Sequence, residues 1–341
     1  MHPLKKAVAK ILFGEALPQE FTVGMRAPQE EIGVWLCGRS VRRDVTNLHS
    51  TACCGPFVLC IRLEEMEAAI ADELWLEYAE RGGRGTVLGK IGLKSAKGIE
   101  HTGDGLYFFE AQSAQHWCLP RMQALAHHLL HAYKAMRRPK MPDTRMTLLE
   151  ERAANVTFIR PHPIAIASVE DAAGGNIFIM NLMGELGEGR FGFGLKNSRW
   201  PSKLVERTGR IALSSVPADE GKAAFALTAT HMVEKVDWEN LPFGLRRSMQ
   251  FKIRVPDFAR RVRELEVESV RKMGSHNFFV ARVVSDERLG EGDELHALHG
   301  FYQAWRLRGH EEDLREAVAQ DAENKRGRKS NKMGQNHRPI H

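Results

Sequence analysis

The residues of this chain best suited to chemistry lie between Asn176 and Lys203. An apolar, strand-like run carries Asn176 and Asn181 and empties into a glycine-rich segment. The cluster Lys196-Asn197-Ser198-Arg199 comes next, with Ser202 and Lys203 close behind. Apolar, backbone-rich walls suit a flat ring system, amides suit its polar edge, and a loop of hydroxyls and cations suits a phosphate. Pro201 falls at the first turn of an expected helix, whose free amides favour an anion. A ligand held in this way would carry the reaction, more than any side chain. Gly184, Gly187, Gly189, Gly192 and Gly194 do not fit GxGxxG between a strand and a helix, so no dinucleotide fold follows. A plain surface hairpin with a polar loop would show the same residues.

The elements around this segment fall into two stretches. From 20 to 110 the chain reads mostly as short strands (FTVGM, EIGVWLCG, PFVLCIRL, TVLGKIGL, GLYFFEAQ) broken by Gly, Pro or charged turns. EEMEAAIADELWLEYAERGG reads as a helix with an acidic start and a Gly-Gly stop. LPRMQALAHHLLHAYKAMRRP reads as a second helix, with Lys134, Arg137 and Arg138 suiting its C-terminal dipole. PKMPDTR is then a Pro-rich break. From Met146 the pattern turns mostly β. A short helix precedes PIAIASVED and NIFIMNLMG, then come the helix-like PSKLVERTG and the strands RIALSSVP, FKIRVP, RELEVESVRKM, HNFFVARVV and HGFYQAWRL. Strands at this spacing suit an antiparallel barrel. FALTATHMVEKVDWENLPFGLRRS reads as helix and loop over the barrel mouth. No repeat of fixed period stands out.

Bulk properties bound the function. The 341 residues are comfortable for two domains, and the net charge is +6. The excess sits in a tail: Lys325, Arg326, Arg328, Lys329, Lys332 and Arg338 stand without an acid among them, leaving a neutral body. A basic tail reads as a solvated, disordered end, so nucleic acid is not the expected partner. Cys37, Cys53, Cys54, Cys60 and Cys118 form neither a disulfide framework nor a CxxC zinc pair, which fits thiols in a reducing cytoplasm. Lys10 interrupts the apolar N-terminal run, and no stretch reaches membrane-spanning length. Leu4, Val8, Ile11 and Leu12 share one helical face, expected to pack on the body.

Other groups invite chemistry less. His127 and His131, four apart beside His128, share a helix face, but HExxH is absent and no third ligand can be named, so no metal is expected. Asp44 and His49 near Cys53 and Cys54 suggest a nucleophile only by nearness in sequence, and packing is the default role of buried thiols. Phe301, Tyr302 and Trp305, beside His296 and His299, are read as packing in a last strand.

FIRPHPIAIASVEDAAGGNIFIMN, KNSRWPSKLVERTGRIALSSVP and VESVRKMGSHNFFVARVV together resemble the flavin reductase-like, FMN-binding split-barrel family over about residues 147 to 308. The resemblance implies a mostly β chain with an FMN-binding split β-barrel at 147–310; the rest reads as an N-terminal α+β accessory domain at 1–140 and a charged tail at 311–341. It implies FMN as cofactor, NADH or NADPH as electron donor, and a homodimer. Asn181, Leu182 and Met183 would line the isoalloxazine, Asn176 would shape their strand, and Lys196, Asn197, Ser198, Arg199 and Ser202 would hold the phosphate. His276, in Gly274-Ser275-His276, would lie near the flavin and the nicotinamide. Many relatives have Thr or Ser where this chain has Leu182 and Met183, so contacts to the ring edge would come from backbone. The implied activity is that of an NAD(P)H-dependent flavin oxidoreductase passing electrons to free flavin or to a redox partner protein. An FMN-binding electron carrier without nicotinamide activity is the alternative, and a polyanion-binding role for the tail a third.

Overall fold

The computed structural model describes residues 20–26, 31–68, 70–81, 85–96, 105–137 and 146–306. The N-terminal helix, the Pro-rich break and the basic tail expected from the sequence lie outside these residues. A first strand, β1 (Glu20–Met25), leads to seven strands that make one antiparallel sheet. They are β2 (Ile32–Cys37), β3 (Arg42–Asp44), β4 (His49–Cys54), β5 (Phe57–Arg62), β6 (Trp75–Glu80), β7 (Val87–Ser95) and β8 (Leu106–His116). Their order is β3-β2-β6-β7-β8-β5-β4. The chain continues through β9 (His162–Pro163), β10 (Ala165–Asp171), β11 (Gly174–Met180), β12 (Met183–Gly187), β13 (Arg190–Lys196) and β14 (Arg210–Ser215). It ends with the small hairpin β15 (Leu245–Arg247) and β16 (Arg254–Pro256), then β17 (Arg261–Met273), β18 (His276–Arg288) and β19 (Glu294–His299). The second seven-stranded sheet runs β11-β10-β14-β17-β18-β13-β12, and β19 pairs with both β1 and β9.

The second sheet is a half-barrel. Register shifts in β12–β13 and twice in β17–β18 bend it, because an extra residue in one strand increases local twist. Its open side is filled by the helix Trp200–Thr208, which packs on β10, β11 and β13. Leu204 and Val205 from that helix join Phe178, Phe193 and Phe279 in one buried cluster. Gly209 ends the helix in the left-handed conformation (φ 64°), where a side chain would be strained. The first sheet has its own core, with Tyr78, Phe57, Phe109, Ile32 and Leu36 inaccessible to solvent. The helix Leu148–Thr157 opens with a capping box from Thr147 and Glu150 and lies on β5, β7 and β8 of that first sheet, although it follows the Pro-rich break.

The two sheets meet face on. β4 packs against β12, β13 and β18, and Ala52, Cys53, Val58 and Phe108 share a buried cluster with Leu186, Met273, Phe278 and Val280. The Val, Leu, Met and Phe side chains among them contribute about 1.5–3 kcal/mol each when fully buried.

Two local expectations are corrected. The expected helix EEMEAAIADELWLEYAERGG forms only Glu65–Ala68 and a 3-10 turn, Ala71–Glu73, before becoming β6. There Leu76 and Tyr78 are buried and Trp75 and Glu77 are not: an alternation of period two with aromatic residues outweighs acidic helix-start signals. The expected last strand HGFYQAWRL is a helix, Gly300–Arg306, and the strand lies just ahead of it in ELHALH. Trp305 Nε1 donates to Glu80 and Tyr302 donates to Glu31, so this helix is anchored on the first half of the chain. Among the described residues no helix is long and apolar enough to cross a membrane. None of the five cysteines forms a disulfide.

Candidate functional site

A cavity of about 330 Å³ opens where β11 passes into β12 and β13 passes into the helix Trp200–Thr208. Ile179, Met180, Asn181 and Leu182 form one wall, and Gly194, Leu195, Lys196, Arg199 and Pro201 form another. His276 closes one end, and Thr228, His231 and Met232 lie across the mouth.

Each part follows from its element. Lys196 is the last residue of β13 and sits opposite His276, the first of β18. The chain then turns, Arg199 N–H donating to the Lys196 carbonyl at 3.0 Å, and Arg199 stands ahead of a helix with Pro201 in its first turn. Two cations and a helix start thus converge on one end. Among the described residues neither Lys196 nor Arg199 has a carboxylate partner. Lys203 is turned away, its ammonium 4.5 Å from the centre of the Trp200 ring. At Gly194 a Cβ would lie 2.7 Å from Leu182 Cδ2 and 3.0 Å from the Ala52 carbonyl, so the two walls and the first half of the chain approach too closely for a side chain.

His276 is almost fully buried, with Nδ1 2.9 Å from Ser275 Oγ and 3.5 Å from Cys53 Sγ. Burial, and secondly the Lys196 charge, push its pKa down to about 4, so it is a neutral imidazole at neutral pH. Positive charge in the cavity therefore comes from Lys196 and Arg199. His231 Nε2 lies 2.9 Å from the Ile179 carbonyl and its ring packs on Phe178, with burial holding its pKa below the usual histidine range. With a carbonyl as partner, Nε2 carries the proton and Nδ1 is the acceptor.

The structure brings together Asn181, Leu182, Lys196, Arg199 and His276 from the residues expected by sequence. The others lie elsewhere. Asn176 is buried behind β11, where its Nδ2 donates to the Thr230 carbonyl at 3.0 Å and the Val233 carbonyl at 2.7 Å, tying down the segment that crosses the mouth. Ser202 is fully buried and accepts from Asn277 Nδ2 at 3.1 Å, because the helix turns it toward β18. Asn197 Nδ2 donates to the Gly274 carbonyl at 2.8 Å, and Ser198 is exposed outside the cavity. Met183 points to a second cavity of about 270 Å³, shared with Arg160, Arg261, Arg263 and Ser214. There Arg263 pairs with Glu185 at 2.8 Å, whereas Arg160 Nε and Ser214 Oγ are buried without partners. Sequence reasoning missed Thr228, His231 and Met232; the expectation that their segment covers the mouth was the available signal. No group of three or more His, Cys, Asp or Glu suited to an ion occurs among the described residues.

No family model matches the chain, and no curated protein does. Among solved structures it is similar to an FMN-binding protein from Thermus thermophilus with bound p-hydroxybenzaldehyde, at 23% identity over 38% of this chain and 72% of that one, with a TM-score of 0.34. It is similar to the NADH:FAD oxidoreductase of Streptomyces globisporus C-1027, at 14% identity over 44% and 89% of the two chains and a TM-score of 0.39. It is also similar to the styrene monooxygenase flavin reductase of Pseudomonas putida S12, at 19% identity over 42% and 90%, with a TM-score of 0.36. Likenesses of this size assign no activity.

Proposed function

We propose that this protein is a flavin-dependent oxidoreductase that binds FMN in the cavity between β11 and β13 and takes electrons from NADH or NADPH. The observation that carries this reading is the pairing of two cations that lack a carboxylate partner among the described residues, Lys196 and Arg199, with a long wall of apolar side chains and backbone in one cavity. Such cations ahead of a helix suit a phosphate. The wall from Ile179 to Leu182 suits a ring system whose edge bonds to backbone amides and to Asn181. A flavin bound there would supply the redox chemistry between a nicotinamide donor and a second acceptor.

The chain's own groups bind, orient and exclude water. Lys196 and Arg199 hold the phosphate end. His276, uncharged and fixed by Ser275, offers a ring nitrogen without adding charge where a hydride donor would approach. Met232, Thr228 and His231 cover the mouth and limit the size of what enters. The acceptor is either free flavin or a partner redox protein.

Adding FMN to purified protein and following the visible absorbance and flavin fluorescence tests binding. Anaerobic addition of NADH or NADPH tests reduction. Uptake followed by bleaching is expected. Uptake without bleaching by excess of either nucleotide would make the protein an FMN-binding electron carrier, and no uptake would end the flavin reading.

A further inference from the structure

The two large sheets share one plan. Read along the chain, β2 to β8 and then β10, β11, β12, β13, β14, β17, β18 occupy the same seven places, since β3-β2-β6-β7-β8-β5-β4 and β11-β10-β14-β17-β18-β13-β12 are the same order. In the β5–β8 and β13–β18 pairs the registers agree residue by residue. Arg62 faces Leu106 as Lys196 faces His276, and Cys60 faces Phe108 as Gly194 faces Phe278. Leu63 N–H donates to the Gly105 carbonyl at 2.9 Å, and its counterpart Asn197 N–H donates to the Ser275 carbonyl at 3.1 Å.

The halves are also arranged as two subunits about a two-fold axis would be. In such an interface a residue meets its own equivalent. Phe108 and Phe278, equivalent by register, meet edge to face with ring centres 5.9 Å apart. Each half's hairpin reaches the other's site edge. Ser275 N–H donates to the Gly55 carbonyl at 2.9 Å, while Glu188, at the tip of the β12–β13 hairpin, pairs with Arg62 at 2.5 Å.

The two equivalent sites differ in charge. In the second half Lys196 and Arg199 have no carboxylate partner among the described residues. In the first half Arg62, the counterpart of Lys196, is neutralised by Glu188. The loop after it reads Leu63-Glu64-Glu65-Met66-Glu67 where the other reads Asn197-Ser198-Arg199-Trp200-Pro201. The buried Glu67 already takes Arg43 at 2.6 Å, and Leu106 replaces His276. An anion would meet carboxylates there.

We propose that one chain contains both members of a two-fold barrel pair, in which residues 31–116 stand in for a second subunit, back the cavity of the other half, and carry at the equivalent position a site closed to anionic ligands. The homodimer implied by the sequence resemblance is thus built within the chain, and one phosphate-bearing ligand binds per chain. The stoichiometry rests on the flavin reading above; the pairing of the halves does not.

Two measurements test it. Ser275 Oγ lies 3.8 Å from Cys53 Sγ, so the Ser275→Cys chain, oxidised with diamide, should close a disulfide to Cys53 within one chain. Peptide mapping should find it, and the denatured, unreduced chain should keep its single-chain mass. A covalent dimer joined through the same two positions, or no link at all, would overturn the pairing. FMN titration by calorimetry should give one site per chain, abolished by Lys196→Ala with Arg199→Ala and unaltered within twofold by Arg62→Ala. Two sites per chain, or an equal loss with Arg62→Ala, would overturn the closed twin. No FMN binding to the native chain would end the flavin reading, and the disulfide would still decide the pairing.

Discussion

Replacing Arg199 with alanine should weaken FMN binding far more than riboflavin binding. The two ligands share a ring and differ by the phosphate, so their affinity ratio isolates the contact that Arg199 is assigned. Arg199 is half-buried and has no carboxylate partner among the described residues, so its charge is available to a ligand. A charge-assisted hydrogen bond contributes about 1.5–3 kcal/mol. At about 1.4 kcal/mol per tenfold, the loss for FMN is about 10- to 150-fold, against less than about twofold for riboflavin. Lys196 is exposed, so Lys196→Ala should cost about 1 kcal/mol or less, about fivefold, and that part should shrink as salt rises. Quenching of flavin fluorescence, titrated with both ligands at two salt concentrations, reads all of these. Equal loss for FMN and riboflavin would mean that Arg199 shapes the cavity and does not touch a phosphate. No loss for either would place the phosphate elsewhere.

Other consequences are separable. Asn176→Ala removes two hydrogen bonds to the segment crossing the mouth, at about 0.5–1.5 kcal/mol each, and should speed FMN release and amide exchange at 228–233; unchanged exchange there would refute the tether. Burial first of all holds His49, His116, His276 and His296 at about 4 and His162 at about 3, against an ordinary 6.5. The unfolded chain therefore takes up protons between about pH 6.5 and 4 that the folded chain refuses, and stability should fall with acidification across that window by about 1.4 kcal/mol per group per pH unit; a Tm flat from pH 7 to 4.5 would contradict this. Arg160→Met replaces a guanidinium lacking any carboxylate partner among the described residues, and should raise Tm; a clear drop would show that the charge is compensated in the folded protein.

Much of the element order was legible because it is local. Continuous apolar runs of strand length in PIAIASVED and HNFFVARVV, the proline opening the helix at 200 and the glycine ending it are written into short windows. So was the convergence of Lys196 and Arg199, since a strand end, a turn and a helix start lie within five residues. The β6 segment misled because its acidic, Ala-containing sequence satisfies helix propensity, and only burial between β2 and β7 makes it a strand.

The sequence by itself determined where strands, turns and a cationic loop fall, since those depend on neighbours a few residues away. Tertiary structure decided what the pattern could not express. It turned Ser202 inward to Asn277, drew Thr228, His231 and Met232 over the cavity, and set Cys53 beside His276 across 223 positions. It also revealed one strand plan laid down twice, which sequence periodicity hides because loops and strand lengths differ while the strand order is the same. Pairing between distant strands is fixed by which faces can be buried together, and that is a property of the whole chain.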